Sequence, residues 1–204
     1  MKARLFLLLM IILVITGCNG QANEKILRGA KGKLDGISSY QYTAIVEVFG
    51  NKDSQKYEIN HYYKNGKYRL ESISPVHLKG KIVIIDDQQT TIYHPNIHQR
   101  IVLEDIHKDP YEGMFLGDFI NWEFQANMEY SEEKEGDREY LVVTKDISQR
   151  KDYHHKQSMW IDKDSKLPQY IEIYDKEGQI RVHITIKDLI INGDIRDELF
   201  ELNE

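Results

Sequence analysis

The chain has 204 residues, with 33 acidic and 27 basic side chains and a formal charge of −6. That balance argues against nucleic acid as a partner and against electrostatic adhesion to anionic lipid. The length fits one domain, and a single cysteine offers no internal disulfide, so the domain must be held by its core alone.

Lys2 and Arg4 make a basic start, Leu5 to Ile15 are apolar without exception, and the small residues Thr16 and Gly17 precede Cys18. This is the pattern of a secretory signal peptide over residues 1–17. The apolar run falls short of the roughly 20 residues that a spanning helix needs. Ile15-Thr16-Gly17-Cys18 also resembles the bacterial lipobox, which implies cleavage before Cys18 and a diacylglyceryl group on its thiol. Cys18 is therefore the expected lipid-attachment residue. The mature part, residues 18–204, is expected to be one domain on a short N-terminal tether. It keeps 25 basic against 33 acidic side chains, near −8. Two acyl chains anchor stably where one binds only marginally, so the domain is expected on the extracytoplasmic face of a membrane.

Asn23 to Ile37 reads as a helix capped by Asn23, with Ile26, Leu27, Ala30 and Leu34 on one face. From Ser39 the period changes to two. Tyr40, Tyr42, Ala44, Val46 and Val48 share one face of the first strand. Tyr57, Ile59, His61 and Tyr63 alternate with polar residues, Asn65-Gly66 makes a two-residue turn, and Tyr68, Leu70 and Ser72 return, which is a hairpin signature. Short strands follow at Ile82–Ile85, Thr90–Tyr93 and Arg100–Leu103, with turns around Asp86–Gln89 and His94–Asn96.

The alternation then breaks at "DPYEGMFLGDFINWEF". Asp109 can cap, Pro110 suits a first helical position, and Met114, Phe115, Phe119 and Trp122 repeat at helical spacing, so a core-packing helix is expected here. Strands resume at Asn127–Lys134, Glu139–Asp146, Lys156–Asp162, Gln169–Tyr174 and Gln179–Asp188, and Leu199 and Phe200 offer a final tuck. About ten strands in meander order, with one helix before them and one among them, predict a mainly β (α+β) fold. Its frame is a large curved antiparallel sheet forming a half-barrel, with helices against one side.

That architecture behind a lipobox resembles the LolA/LolB-like lipoprotein-sorting fold. The residues carrying the resemblance are Met159-Trp160-Ile161-Asp162, Leu167-Pro168, Asp175 with Gly178, and the closing Asp197-Glu198-Leu199-Phe200. Within that group the chain is most similar to the GerS-type spore-germination lipoproteins of clostridia. The likeness lies in the short leader, the Tyr-rich hairpin, the "DPYEGMFLGDFI" stretch and the overall length. The resemblance implies a protein partner, a spore-cortex N-acetylmuramoyl-L-alanine amidase, and a place on the forespore or spore membrane.

No catalytic set, cofactor motif or metal site is expected. There is no G-x-S-x-G elbow, P-loop or dinucleotide glycine pattern. His94 and His98 are four apart, but Pro95 precludes the helix that would align them, so a polar hairpin turn is expected. His154 and His155 point apart on a strand. Asp162-Lys163-Asp164 lacks the glycine and distal glutamate of a calcium loop and reads as a turn. Glu132-Glu133-Lys134-Glu135 reads as a solvated hairpin tip. Two functions remain. The sheet is either a platform that grips a protein partner, or a carrier holding an acyl chain or other apolar ligand on its concave side. Tyr57, Tyr63, Tyr68, Tyr140 and Tyr170 are expected to fill the concave space, which favours the platform.

Overall fold

The computed structural model describes residues 18–104, 115–117 and 128–202, with the side chains of 18–24 and 148–151 left out of that description. The expected signal peptide, and the expected helix from Asp109 apart from Phe115–Gly117, lie outside the described residues.

One helix, α1 (Cys18–Leu34), precedes eleven strands. It begins five residues before the expected Asn23, because helix formers such as Gln21 and Ala22 extend it ahead of the apolar face that starts at Ile26. It stops three residues before Ile37. Asp35 N–H donates to the Lys31 carbonyl at 2.6 Å, and Gly36 takes the left-handed φ of +71° that ends a helix. Leu27, Ala30 and Leu34 are buried as the spacing requires.

The strands are β1 (Ser39–Phe49), β2 (Ser54–Lys64), β3 (Lys67–Ser74), β4 (Ile82–Ile85), β5 (Gln89–His94) and β6 (Gln99–Glu104), then β7 (Glu129–Glu135), β8 (Arg138–Lys151), β9 (His154–Asp162), β10 (Pro168–Tyr174) and β11 (Ile180–Ile191). They form one open sheet in the order β6-β5-β4-β3-β2-β1-β11-β10-β9-β8-β7. Every adjacent pair is antiparallel, and β1 is zipped to β11 at the centre, from Tyr40↔Ile191 to Val48↔Val182. Register shifts between Gln41 and Thr43 and between Ile173 and Tyr174 add the local twist that curls so wide a sheet. This is the expected curved half-barrel. Asn65 and Gly66, at φ 48° and 86°, make the expected hairpin turn between β2 and β3.

The core lies between α1 and one face of the sheet. Leu27 and Ala30 meet Leu141, Val143, Met159, Ile161, Ile171, Ile173, Val182 and Ile184, which are the alternate residues of β8 to β11. Full burial of each such aliphatic side chain contributes about 1.5–3 kcal/mol. The tail closes over β3. Phe200 is buried, the Leu199 carbonyl accepts from Arg69 Nη1 at 2.9 Å, and Lys64 Nζ reaches the Ile195 carbonyl at 2.6 Å.

Candidate functional site

On the face that carries α1, the half of the sheet built from β1 to β4 holds a cavity of about 320 Å³. Its walls are the alternate residues Ala44, Val46 and Val48 of β1, Ile59 of β2, Leu70 of β3 and Val83 of β4. From Tyr42 to Val48, at 3.3 Å per residue, the groove runs about 20 Å along the strands. Tyr42, His61 and Phe115 close one end, and partly exposed Val48 marks the other.

The closed end is an aromatic stack. Tyr40 lies 4.8 Å from Tyr63, Tyr63 lies 5.0 Å from Tyr68, and Phe115 packs 5.1 Å from both Tyr68 and His61. Gly117 N–H donates to Tyr40 Oη at 3.0 Å, and a Cβ at 117 would collide with Tyr68 Oη, so only glycine fits there. His61 is 2% exposed, and its Nδ1 shares a hydrogen bond with Tyr42 Oη. Burial pushes its pKa down to about 3, so the imidazole is neutral. Among the described residues His61 Nε2 has no hydrogen-bond partner. Ser72 and Lys81 supply polar atoms beside these walls.

Of the five tyrosines expected to fill this space, Tyr63 and Tyr68 do so beside the groove and Tyr57 lines it. Tyr140 and Tyr170 do not. β-strand parity puts them on the opposite face, with Trp160.

That opposite face holds a polar network around Glu172, which sequence reasoning missed. Trp160 Nε1–H donates to Glu172 Oε2 at 2.9 Å, Tyr174 Oη–H donates to the same oxygen, and His183 Nδ1 stands 3.1 Å from Oε1. Burial alone would raise the Glu172 pKa, but the bonds from His183, Tyr174 and Trp160 hold it below the ordinary value. Burial, then the bond to Glu172, pushes the Tyr174 hydroxyl up. His183 Nε2 also approaches Thr185 Oγ1 at 3.5 Å, which gives the acid–imidazole–hydroxyl order of a hydrolase. The chemistry stops there. Thr185 lies on a central strand paired on both sides, to Ile45 and Tyr170, so the ladder engages the backbone donors that an oxyanion hole would need. The only sequence signal was polar alternation in β9 to β11, and it becomes a network only through the pairings Glu172↔Ser158 and Glu172↔His183.

Cys18 is the first residue of α1. His98 is exposed at a left-handed φ of 48° and His94 ends β5, so the pair flanks the expected turn. Asp162 Oδ1 accepts from Ser165 N–H at 2.6 Å, which makes the Asp162–Lys166 stretch a self-capped turn. Asp175 Oδ1 accepts from Gln179 N–H at 2.8 Å while Oδ2 meets Arg181 Nε at 2.6 Å, and Gly178 takes φ +77°. The acidic run is not a hairpin tip. Glu132 to Glu135 lie on edge strand β7, with Glu132 paired to Lys163 at 2.5 Å, and the turn falls at Gly136-Asp137. Among the described residues no group of three or more His, Cys, Asp or Glu could hold a metal ion, and no helix is long and apolar enough to cross a membrane.

The model of the sporulation protein YdcC-like family matches residues 1–200. No curated protein matches the chain. Among solved structures, an uncharacterized conserved protein from Thermus thermophilus has the same fold, with a TM-score of 0.58 and 12% identity over 89% of this chain and 93% of its own. A chain from the structure of the CwlD amidase from Clostridioides difficile in complex with the GerS lipoprotein is 31% identical over 85% of this chain and 95% of its own, with a TM-score of 0.48. A LolA superfamily protein from Nitrosomonas europaea is 15% identical over 88% and 97%, with a TM-score of 0.46. The family match agrees with the sporulation resemblance expected from the sequence.

Proposed function

The chain belongs to the YdcC-like family of sporulation proteins, and from that premise we propose that it is a non-catalytic envelope lipoprotein that binds and regulates a spore-cortex amidase. The observation that carries this reading is the 31% identity to a chain of a solved amidase–lipoprotein complex. Of the two partners in that complex, the lipobox around Cys18 favours the lipoprotein as the counterpart of this chain. The proposed place is the extracytoplasmic face of the forespore or spore membrane, held by acyl chains on Cys18. The polar network around Glu172 acts in this reading as a structural ladder, not as a catalytic relay.

The test is co-expression of the mature protein from Asn19 with the cortex amidase of the same organism. The described core begins at Ile26, inside the expressed protein. A complex that co-elutes with raised amidase activity is the expected result, and separate elution with unchanged activity refutes it. The apolar groove favours a second reading, a carrier for an acyl chain or other apolar ligand. Mass spectrometry of the purified protein decides that one, through the presence or absence of a retained lipid.

A further inference from the structure

The charge of α1 runs against that of the rest of the chain. Between Glu24 and Asp35 it carries Lys25, Arg28, Lys31 and Lys33 and no acid, while the protein as a whole is acidic. Leu27, Ala30 and Leu34 are buried, and all four basic residues are exposed. At 3.6 residues per turn, position 18 and residues Lys25 and Arg28 fall within about 80° of one another on the outer side of the helix, opposite Leu27 and Leu34. Lys31 and Lys33 stand to either side of that stripe. The expected lipid-attachment residue therefore shares its face of the helix with basic residues. The helix is also fixed to the sheet. Lys33 Nζ donates to the Ser165 carbonyl at 2.5 Å, and the stem of Lys166 lies over Gly29, where a Cβ would stand 3.4 Å from Lys166 Cγ.

We propose that the outer face of α1 is a docking surface for an anionic phospholipid bilayer, which lays the helix along the membrane and so fixes how the domain stands on it. This inference rests on the lipid-anchored reading above and goes beyond it to the orientation. The net charge opposes adhesion of the domain as a whole, so the acyl chains on Cys18 supply the attachment and the basic stripe supplies the direction. The geometry favours lipid over an acidic protein. α1 begins at Cys18 with no intervening linker, so Lys25 lies about 10 Å along the helix from the anchor, within about one Debye length of the headgroups. Lying flat, the helix brings Arg28, Lys31 and Lys33 to the same surface. Each cation there favours that orientation by about fivefold. The sheet then stands on the far side of α1 from the bilayer, and its other face, with Trp160 and Glu172, is turned to the envelope space.

The test uses the lipoprotein extracted from its native membranes and placed in vesicles of phosphatidylcholine alone or of equal parts phosphatidylcholine and phosphatidylglycerol. Acetylation of each lysine is followed by mass spectrometry. Lys25, Lys31 and Lys33 should react about fivefold more slowly on the anionic vesicles, and the protection should vanish at high salt. Lys52 and Lys176, exposed in the β1–β2 and β10–β11 turns, serve as controls and should react alike on both. Lys25→Glu combined with Arg28→Glu changes two exposed residues and should abolish the protection of Lys31 and Lys33. Protection kept in that variant, or equal rates for wild type on the two vesicles, overturns the orientation, while the anchor stands on the diacylglyceryl mass of the extracted protein. A protein without that mass overturns both. Protection of the three lysines by the cortex amidase, and not by anionic vesicles, gives the face to a protein and overturns the bilayer.

Discussion

His61 makes the fold sensitive to acid. Its pKa falls from 6.5 to about 3 because burial disfavours the imidazolium, so the unfolded chain takes up the proton first as pH drops. Its contribution to stability is complete above pH 6.5 and is lost progressively down toward pH 3. The slope is about 1.4 kcal/mol per pH unit, so roughly 2 kcal/mol disappears between pH 6.5 and 5. Glu172 acts in the same sense lower down. Its lowered pKa adds stability that is present above the ordinary value of 4.5 and is lost as pH falls through its own. Urea melts between pH 7 and 5 should show the His61 slope in wild type and not in His61→Phe. An equal slope in both proteins would remove His61 as the cause.

At the level of elements, the hairpin of β2 and β3 shows what local sequence can specify. Both central residues of its turn need positive φ, and Gly66 sits at 86° without the Cβ that makes this region costly. Gly66→Val should destabilise the protein by about 1–2 kcal/mol. A chemical-denaturation midpoint unchanged by that substitution would show that the turn relaxes to another type. The same local logic made the two-residue alternation of β1, β2 and β11 legible, as well as the buried face of α1. It put Tyr42 and His61 on the groove side, but their contact depends on the pairing Tyr42↔His61. It could not place Tyr140 and Tyr170, since the face to which a strand's alternate residues turn is settled only by its neighbours in the sheet. Nor could it find the Glu172 network, whose members come from three strands.

The sheet is joined by its first and last strands. β1 and β11 pair at the centre of the sheet, while β6 and β7, consecutive strands of the chain, are its two opposite edges. Ser38 and Ser39 bind Asn192 and Gly193 beside that seam, and Lys64 pairs with Asp197, so the start of β1 and the stretch after β11 are tied together. α1 starts at Cys18, and among its described side chains Ile26 and Leu27 are the first to reach the core. An anchor at Cys18 would therefore sit about two helical turns ahead of Ile26, near enough to hold the domain close to a bilayer. None of the described helices can hold the protein in a membrane by spanning it. Lipidation therefore makes a sharp prediction. The protein from native membranes should have a mass that begins at Cys18 and includes a diacylglyceryl group. Cys18→Ala should lose that mass and leave the membrane fraction, with an unchanged melting curve as the folding control. An unmodified Cys18 in membrane-bound wild type, or a Cys18→Ala protein that stays in the membrane after its leader has been removed, would show that something other than acyl chains holds it there.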